Sequence, residues 1–377
     1  MFGKSYKLFK LAGFEVKIDM SWLILAFIVT WTLAEGLFPV YHEGLSPPVY
    51  WWMGAFGALG LFASIVFHEL SHSLVARRGG MPMKGITLFI FGGVAEMDDE
   101  PPDARTELFM ALAGPASSLL LAGIFFGAAF ALRFMEAPLP VRGVISYLGL
   151  INVILAAFNM VPAFPLDGGR VLRAILWKWK NNLKWATHIA ANMGTGFGTV
   201  LMILGVFQVF AGNVIGGIWW FIIGMFLRGI SQSSYRQVIL KKTLEGEKVE
   251  RFMKRDPVVV PPSLSISDFV ENYVYTHHFK FFPVVEDGKH VGCVTVKNIK
   301  EIPREQWQNR TVGEVSEECS TENTVSPDTD AMKALTLMNR QGSSRLMVVE
   351  DGNLEGVITL KDLMGFFSTK LDLEGEE

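Results

Sequence analysis

Long apolar stretches alternate with short polar segments from the start of the chain to about Ile230, and the pattern then becomes that of a soluble domain. An apolar stretch of about 20 residues can cross a bilayer as a helix. Tryptophans lie towards the ends of the first stretch and at the start of the second, where interfacial aromatics are common. The pattern predicts six transmembrane helices, at about residues 20–37, 50–77, 108–132, 144–160, 186–210 and 214–227.

A shorter apolar segment, residues 83–97, separates the second and third predicted spans. It is too short to cross a bilayer as a helix and is rich in residues that favour strands. We therefore predict a β-hairpin that turns near Gly92 and Gly93 and is buried in protein or lines a cavity. Its edge can accept an extended peptide. The alternative interpretation is a loop at the membrane interface.

Composition and charge support a membrane protein. Half of the 377 residues are hydrophobic and only 19% are charged, fewer than in a typical soluble protein. A net charge of −3 argues against nucleic-acid binding. The lysine-rich N-terminus precedes the first span without a convincing cleavage site, so we predict an uncleaved span rather than a signal peptide.

The distribution of basic residues between the loops predicts the orientation. If the N-terminus is cytoplasmic, the outer loops carry only Arg133 and Arg142. This asymmetry obeys the positive-inside rule. We expect a multi-pass protein of a prokaryotic cell (plasma) membrane, with its N-terminus and C-terminal domain in the cytoplasm. The basic residues of the inner segments are Lys4, Lys7, Lys10, Lys17, Arg77, Arg78, Lys84, Arg105, Arg170, Arg173, Lys178, Lys180 and Lys184.

His68, Glu69 and His72 form an H-E-x-x-H pattern inside the second predicted span. Residues four apart share a helix face, so the two imidazoles can bind one ion, and Glu69 can take a proton from its water. Zinc suits this pattern, with one ion per chain. The alternative is a helix with two satisfied histidines. It is disfavoured because ionisable groups within a membrane are costly and usually functional.

A catalytic zinc site needs a third protein ligand. The spacing used by soluble enzymes favours Glu96 or Glu107, whereas physical arguments favour Asp167. Pro162 and Pro165 break the fourth span near its end, and irregular backbone at membrane depth persists only against protein or a watery cavity. Alternatively, Asp167 caps the next helix. The candidate carboxylates are Glu96, Asp98, Asp99, Glu107 and Asp167.

The two segments together resemble the site-2 protease family of intramembrane zinc metalloproteases. His-Glu-x-x-His lies in one span, and Pro-x-x-Pro-Leu-Asp-Gly-Gly-Arg follows a later one at residues 162–170. The resemblance covers about residues 11–230. It implies that His68, His72 and Asp167 bind zinc.

The same resemblance implies roles for further residues. Glu69 would be the general base, Asn159 would lie near the substrate carbonyl, and the hairpin at Gly92 and Gly93 would contact the substrate. The sequence departs from the family at Ser118, where many members have asparagine.

Beyond the spans, the segment 282–298 is repeated as the segment 346–362. Each copy predicts a helix, a strand, an Asp-Gly turn, a strand and a helix, and the repeat indicates a stacked pair. It resembles a tandem CBS domain. This resemblance implies a cytoplasmic unit that often binds adenine nucleotides, ATP or AMP, and a homodimer formed through the CBS pair.

In the CBS family, a Gly-x-x-Thr-x-x-Asp pattern presents its threonine and aspartate to a ribose. The same types of residue three positions apart at a helix start also form an ordinary capping box. A second alternative is that the pair serves only in dimerisation. The matching positions are Thr295, Asn298, Thr359 and Asp362.

The predicted fold is a multi-pass α-helical membrane protein with six transmembrane helices and a short membrane-associated β-hairpin, followed by a cytoplasmic α/β tandem CBS domain. We predict a zinc-dependent endopeptidase that cleaves transmembrane protein substrates within the lipid bilayer and is modulated by adenine nucleotide. The alternative is a CBS-gated transporter or channel. The predicted segments are a protease domain 1–230, a linker 231–248, CBS repeats 249–305 and 306–369, and an acidic tail 370–377.

Overall fold

A computed structural model describes residues 5–81, 83–89, 92–97, 100–318 and 323–374 of the protein. The chain forms two compact units, Met1–Arg236 and Gln237–Glu377. The first unit is mainly helical, and the second combines short helices with a six-stranded sheet.

The first unit contains the predicted membrane helices. Its helices are α1 Met20–Trp31, α2 Phe38–Tyr41, α3 Pro47–Arg78, α4 Ala104–Phe134, α5 Leu139–Asn159, α6 Asp167–Lys180, α7 Leu183–Phe210 and α8 Val214–Leu244, the last of which begins in this unit and ends in the second. A π-helical turn, Thr32–Leu37, joins α1 and α2 into one span. Among the described residues, six helical segments are long and apolar enough to cross a membrane, which confirms the prediction. Large apolar side chains such as Phe207 and Phe210 are exposed on these helices, as expected for surfaces that face lipid.

Helix α8 is longer than the sequence predicts. A span ending near residue 227 and a linker over residues 231–248 were expected from the polar composition, whereas the helix continues to Leu244. No proline or glycine interrupts residues 230–245, and Gly246, with a φ of 83°, follows the helix. Polarity in this segment therefore marks the end of the apolar span and not the end of the helix.

A four-stranded sheet accompanies the helices. Its strands are β1 Ser5–Leu11, β2 Phe14–Asp19, β3 Met83–Phe89 and β4 Gly92–Met97, in the spatial order β1-β2-β3-β4. The predicted hairpin is present as β3 and β4, which pair antiparallel. The two strands meet near Gly92 and Gly93, as predicted: these glycines begin β4, and Gly92 pairs with Phe89 at the end of β3. Residues 90 and 91 lie outside the described residues.

Strands β1 and β2 were not predicted. They form an antiparallel pair, and β2 then runs parallel to β3, although α1, α2 and α3 separate these two strands along the chain. Phe14 and Ile86 of the sheet pack against Leu70 of α3, within the H-E-x-x-H segment. The sheet therefore covers one side of the helix that carries both histidines.

The second unit repeats one arrangement twice. Its helices are α9 Ile266–Phe269, α10 Tyr275–His277, α11 Val296–Lys300, α12 Ala331–Gln341 and α13 Leu360–Glu374, and its strands are β5 Phe281–Glu286, β6 Lys289–Thr295, β7 Glu317–Glu318, β8 Thr324–Val325, β9 Arg345–Glu350 and β10 Asn353–Thr359. The strand order is β5-β6-β10-β9-β8, and β7 pairs with β6. Both hairpins turn at an Asp-Gly pair with positive φ at both residues, which is typical of a type I′ turn. Each half has its own apolar core.

A buried ion pair joins α6 to α4 in the first unit. Arg173 is almost fully buried, and its Nε donates to Glu107 Oε1 at 2.6 Å. Its Nη2 also donates to Glu100 Oε2 at 3.0 Å. Burial by itself would lower the pKa of Arg173, but the two carboxylates hold that pKa above its ordinary value. The guanidinium is therefore charged and fixes α6 against α4.

Replacing Arg173 alone should destabilise the first unit strongly. Arg173→Met leaves the Glu107 carboxylate buried without its partner, a change that costs about 3–5 kcal/mol. The double variant Glu107→Leu, Arg173→Met removes both charges and should recover much of this loss. Unfolding in detergent micelles measures the stability of each variant. Unchanged stability of Arg173→Met would contradict the conclusion that this ion pair holds α6 against α4.

Candidate metal centre

Helix α3 places His68 and His72 one turn apart, and both side chains are buried. The Nδ1 atom of each ring is already engaged. His72 Nδ1 donates to the Met110 carbonyl at 2.6 Å, and His68 Nδ1 lies 2.9 Å from Ser118 Oγ. Both partners belong to α4. Because these contacts occupy Nδ1, Nε2 is the nitrogen of each ring that remains available to bind a metal ion.

Asp167, the first residue of α6, meets these nitrogens. Its Oδ2 lies 3.1 Å from His68 Nε2 and 3.2 Å from His72 Nε2. The capping alternative receives no support, because Leu166 is the N-cap and no side chain caps this helix. Gly168 and Gly169 lie so close to the backbone of residues 160–164 that a Cβ on either would collide with it. These close contacts bring Asp167 to the histidines.

The three ligand atoms suit a zinc ion. All lie within 4.8 Å of one another. In the neutral form of His72, Nδ1 carries the hydrogen that it donates to the Met110 carbonyl, and Nε2 carries a lone pair. That lone pair faces a carboxylate oxygen of Asp167, so a cation between the two acceptors stabilises the cluster. Tetrahedral ligands about 2.0 Å from zinc are roughly 3.3 Å apart, close to the observed separations. Three protein ligands leave a fourth position for water or substrate.

Gly114 of α4 supplies the space beside the two rings. A Cβ at this position would overlap the Nε2 atoms of both His72 and His68. The sequence alone does not identify this role of Gly114. Like the roles of the Met110 carbonyl and the Ser118 hydroxyl, it depends on the tertiary contact between α3 and α4.

Glu69 lies beside the cluster and under the hairpin. Its carboxyl is close enough to His72, His68 and Asp167 to interact with them electrostatically. A Cβ on Gly93 would lie 2.9 Å from Glu69 Cγ, so β4 passes directly over this side chain. Gly92 precedes it in the same strand. The structure thus brings Glu69 and Gly93 together beside the cluster.

The remaining candidates lie elsewhere or are engaged. Asn159 ends α5, and its Nδ2 donates to the Leu155 carbonyl at 3.0 Å within its own helix. Glu107 pairs with Arg173. Glu96 is part of β4, and residues 98 and 99 lie outside the described residues.

The predicted nucleotide residues form two local pairs in the second unit. Thr295 and Asn298 make a capping box at the start of α11. Thr359 and Asp362 make the same contacts at α13, with Thr359 N donating to Asp362 Oδ2 at 3.1 Å and the hydroxyl donating to it at 2.5 Å. These contacts satisfy helix ends and also keep each pair together at the end of a strand.

Comparison with known proteins identifies a family for each of the two parts of the chain. Peptidase family M50 matches residues 56–137 and 135–204, and the CBS domain matches residues 249–305 and 312–369. The zinc metalloprotease MJ0392 of Methanocaldococcus jannaschii is 32% identical over 375 residues, which cover 99% of this chain and 98% of that protein. Rip3 of Mycobacterium tuberculosis is 32% identical over 356 residues, which cover 94% and 90%.

A solved site-2 protease from Methanocaldococcus jannaschii is also similar, with 29% identity and a TM-score of 0.44 over 62% of this chain and 95% of that one. The similarity to MJ0392 and Rip3 extends along nearly the whole of both proteins. It therefore covers the metal-site segments and the CBS pair together. The chain therefore belongs to peptidase family M50 and is a membrane metalloprotease of the site-2 protease type that carries a tandem CBS domain.

Proposed function

We propose that the protein is a zinc-dependent endopeptidase that cleaves transmembrane segments of membrane proteins within the bilayer. The observation that carries this proposal is the convergence of His68, His72 and Asp167 beside Glu69 on a membrane-spanning helix. His68 lies nine residues before Arg77, which is roughly 14 Å along a helix, so the centre lies below the membrane surface.

The residues of this chain divide the work of peptide hydrolysis. His68, His72 and Asp167 would hold the zinc ion, which when bound polarises a carbonyl and acidifies water. Glu69 accepts a proton from the attacking water as its oxygen bonds to the scissile carbonyl carbon. Glu69 then donates that proton to the amine nitrogen as the carbon–nitrogen bond breaks. Ser118 and Met110 keep the imidazoles oriented.

The substrate must present extended backbone, because a helix uses its carbonyls in its own hydrogen bonds. Strand β4 is at the edge of its sheet and passes over Glu69. An unwound segment of a transmembrane protein can pair with this edge near Gly92 and Gly93. Asn159, from the family pattern, would then assist at the substrate carbonyl. The competing proposal of a CBS-gated transporter or channel does not explain why Glu69 adjoins three convergent ligands.

The basic residues favour a cytoplasmic N-terminus and a cytoplasmic CBS pair in the cell membrane. This orientation places the metal centre towards the cytoplasmic side. It also exposes the CBS pair to cellular ATP and AMP, and we propose that adenine nucleotide bound there modulates cleavage. A homodimer formed through the CBS pair remains a prediction.

Replacing Glu69 with glutamine should separate metal binding from catalysis. The purified variant should retain about one zinc per chain and lose at least about 100-fold in cleavage of a membrane-protein substrate, because the proton acceptor is gone. Metal analysis and a cleavage assay measure the two properties. His68→Ala is the control that should lose both zinc and activity. Cleavage at the normal rate by Glu69→Gln would refute the mechanism.

A methyl group at Gly114 should disturb the metal centre. Gly114→Ala places a Cβ against both Nε2 atoms, and we expect zinc affinity to fall by about 10–100-fold, the scale seen when supporting contacts of a metal site are lost. Gly123→Ala is a matched control on the same helix, because a Cβ there meets nothing within 4 Å. Competition with a zinc chelator measures both, and equal affinities would contradict the geometry.

Adenine nucleotide should stabilise the full-length protein. A ligand at 100 times its dissociation constant adds about 2.7 kcal/mol to the stability of the unit that binds it. The melting temperature of the CBS unit in detergent-solubilised protein should therefore rise with ATP or AMP and remain constant with inorganic phosphate. No rise at millimolar nucleotide would refute nucleotide binding without affecting the protease proposal.

A further inference from the structure

The turn between α6 and α7 carries indole rings and lysines that the metal centre does not use. Only two residues, Asn181 and Asn182, separate the helices. Asn181 has a φ of 50°, in the left-handed region, and Asn182 Oδ1 accepts from Trp185 N at 3.1 Å. The turn is therefore fixed at the end of α6 and at the start of α7. We call the side chains around it the α6–α7 corner: Lys178, Trp179, Lys180 and Trp185.

The side chains of the α6–α7 corner form an ordered surface. The rings of Trp179 and Trp185 lie edge to face, with their centroids 6.2 Å apart. Lys180 Nζ lies 4.9 Å from the centroid of the Trp179 ring. Trp179 is nevertheless 71% exposed, and both Lys178 and Lys180 are exposed. Indole rings favour the level of the lipid headgroups, and lysines there are attracted to anionic lipids.

The positive charge of the α6–α7 corner is not balanced by nearby acids. No Asp or Glu occurs in the sequence between Asp167, a metal-ligand candidate, and Glu245. Among the residues that the structure describes, no carboxylate lies within salt-bridge distance of Lys178 or Lys180. An anion that complements this surface therefore comes from outside the chain.

The length of α6 brings the corner to the membrane surface. The helix begins at Asp167, which the proposed depth of the metal centre places about 14 Å below that surface. It contains 14 residues and is about 21 Å long, so it reaches the surface even when it is tilted. The next helix, α7, is long and apolar enough to cross the membrane. The last turn of α6 therefore lies near the headgroup layer, which is about 5–7 Å thick on each side of the bilayer.

Helix α6 also connects the corner to the metal centre. Asp167 is its first residue, and Trp179 lies in its last turn. Residues 170–180 contain no glycine or proline, so nothing in this segment favours a kink. A group that holds the last turn of α6 therefore also restrains the carboxylate at its start.

We infer that the α6–α7 corner binds the headgroup of an anionic phospholipid, with Lys178 and Lys180 contacting the phosphate and Trp179 lying at the boundary between headgroup and acyl chains. The bound lipid steadies Asp167 through α6. Lipid binding is independent of the reaction at the metal centre, whereas its effect on the metal rests on the proposed function. The two parts are therefore tested by separate measurements.

Binding of fluorescent phosphatidylglycerol to delipidated full-length protein in detergent tests the first part. Lys178→Gln with Lys180→Gln should weaken binding by at least about 10-fold, because two lysines that attract an anionic headgroup are lost. Trp179→Ala should weaken it as well, and replacing both lysines with arginine should preserve it. Lys289→Gln with Lys333→Gln, an equal loss of exposed charge in the second unit, is the matched control and should bind as the unaltered protein does. Melting temperatures without added lipid show whether each variant is folded.

Competition identifies the ligand at the corner. Unlabelled phosphatidylglycerol should displace the probe, whereas phosphatidylcholine, inorganic phosphate and polyglutamate at the same concentration should not. Displacement by phosphate or polyglutamate would assign the corner to a soluble anion and overturn the inference. Equal displacement by the two phospholipids would overturn it too, as would equal affinity of the lysine variant and the matched control.

Release of zinc to a chelator from protein in lipid nanodiscs tests the second part. Release should be about threefold slower with phosphatidylglycerol than with phosphatidylcholine, a smaller effect than loss of a group that directly supports a ligand. The difference should vanish in Lys178→Gln with Lys180→Gln and persist in the matched control. Equal release from both lipids would overturn the link between the corner and Asp167. Protein that binds no zinc would refute the metal proposal and this link, and the lipid-binding result would stand.

Discussion

Two imidazole nitrogens and one carboxylate oxygen, all of them acceptors, lie close together within a membrane-embedded helix bundle. The surrounding structure holds these three atoms in place. In a medium of low polarity, a cluster of acceptors is stable only around a cation. Its geometry therefore has to be held by groups outside it. The carbonyl of Met110 and the hydroxyl of Ser118 orient the rings, and Gly114 leaves room for the ion. One helix, α4, supplies all three supports.

The third ligand depends on irregular backbone between α5 and α6. Such backbone is tolerated at membrane depth only where its polar groups find partners. Both backbone polar groups of Phe164 have such partners. Its N–H donates to the Ala190 carbonyl, and its carbonyl accepts from the Ser231 hydroxyl. The ion pair between Arg173 and Glu107 then holds α6 against α4. Neighbouring helices thus fix the carboxylate of Asp167 from both sides.

The two halves of the CBS pair share one backbone arrangement but carry different charges at equivalent positions. Both halves keep the strand–turn–strand–helix arrangement and the cap at the helix start, because local backbone geometry requires them. The charge of the side chains beside these caps does not depend on that backbone geometry. Lys254 and Glu317 differ there although the backbone positions are equivalent. The duplicated backbone therefore does not determine the charge at these equivalent positions.

The sequence by itself determined the six spans, the hairpin, the repeated C-terminal unit and the pairing of His68 with His72, since each depends on periodicity or spacing within a short window. It narrowed the third ligand to five carboxylates and favoured Asp167. Only the tertiary structure brought Asp167 to the histidines and showed that Glu107 is instead paired with Arg173. It also added β1 and β2 to the sheet and extended α8 to Leu244. The physical reason is sequence distance: Ser118 and Asp167 lie 50 and 99 residues from His68, and packing alone decides which such residues meet.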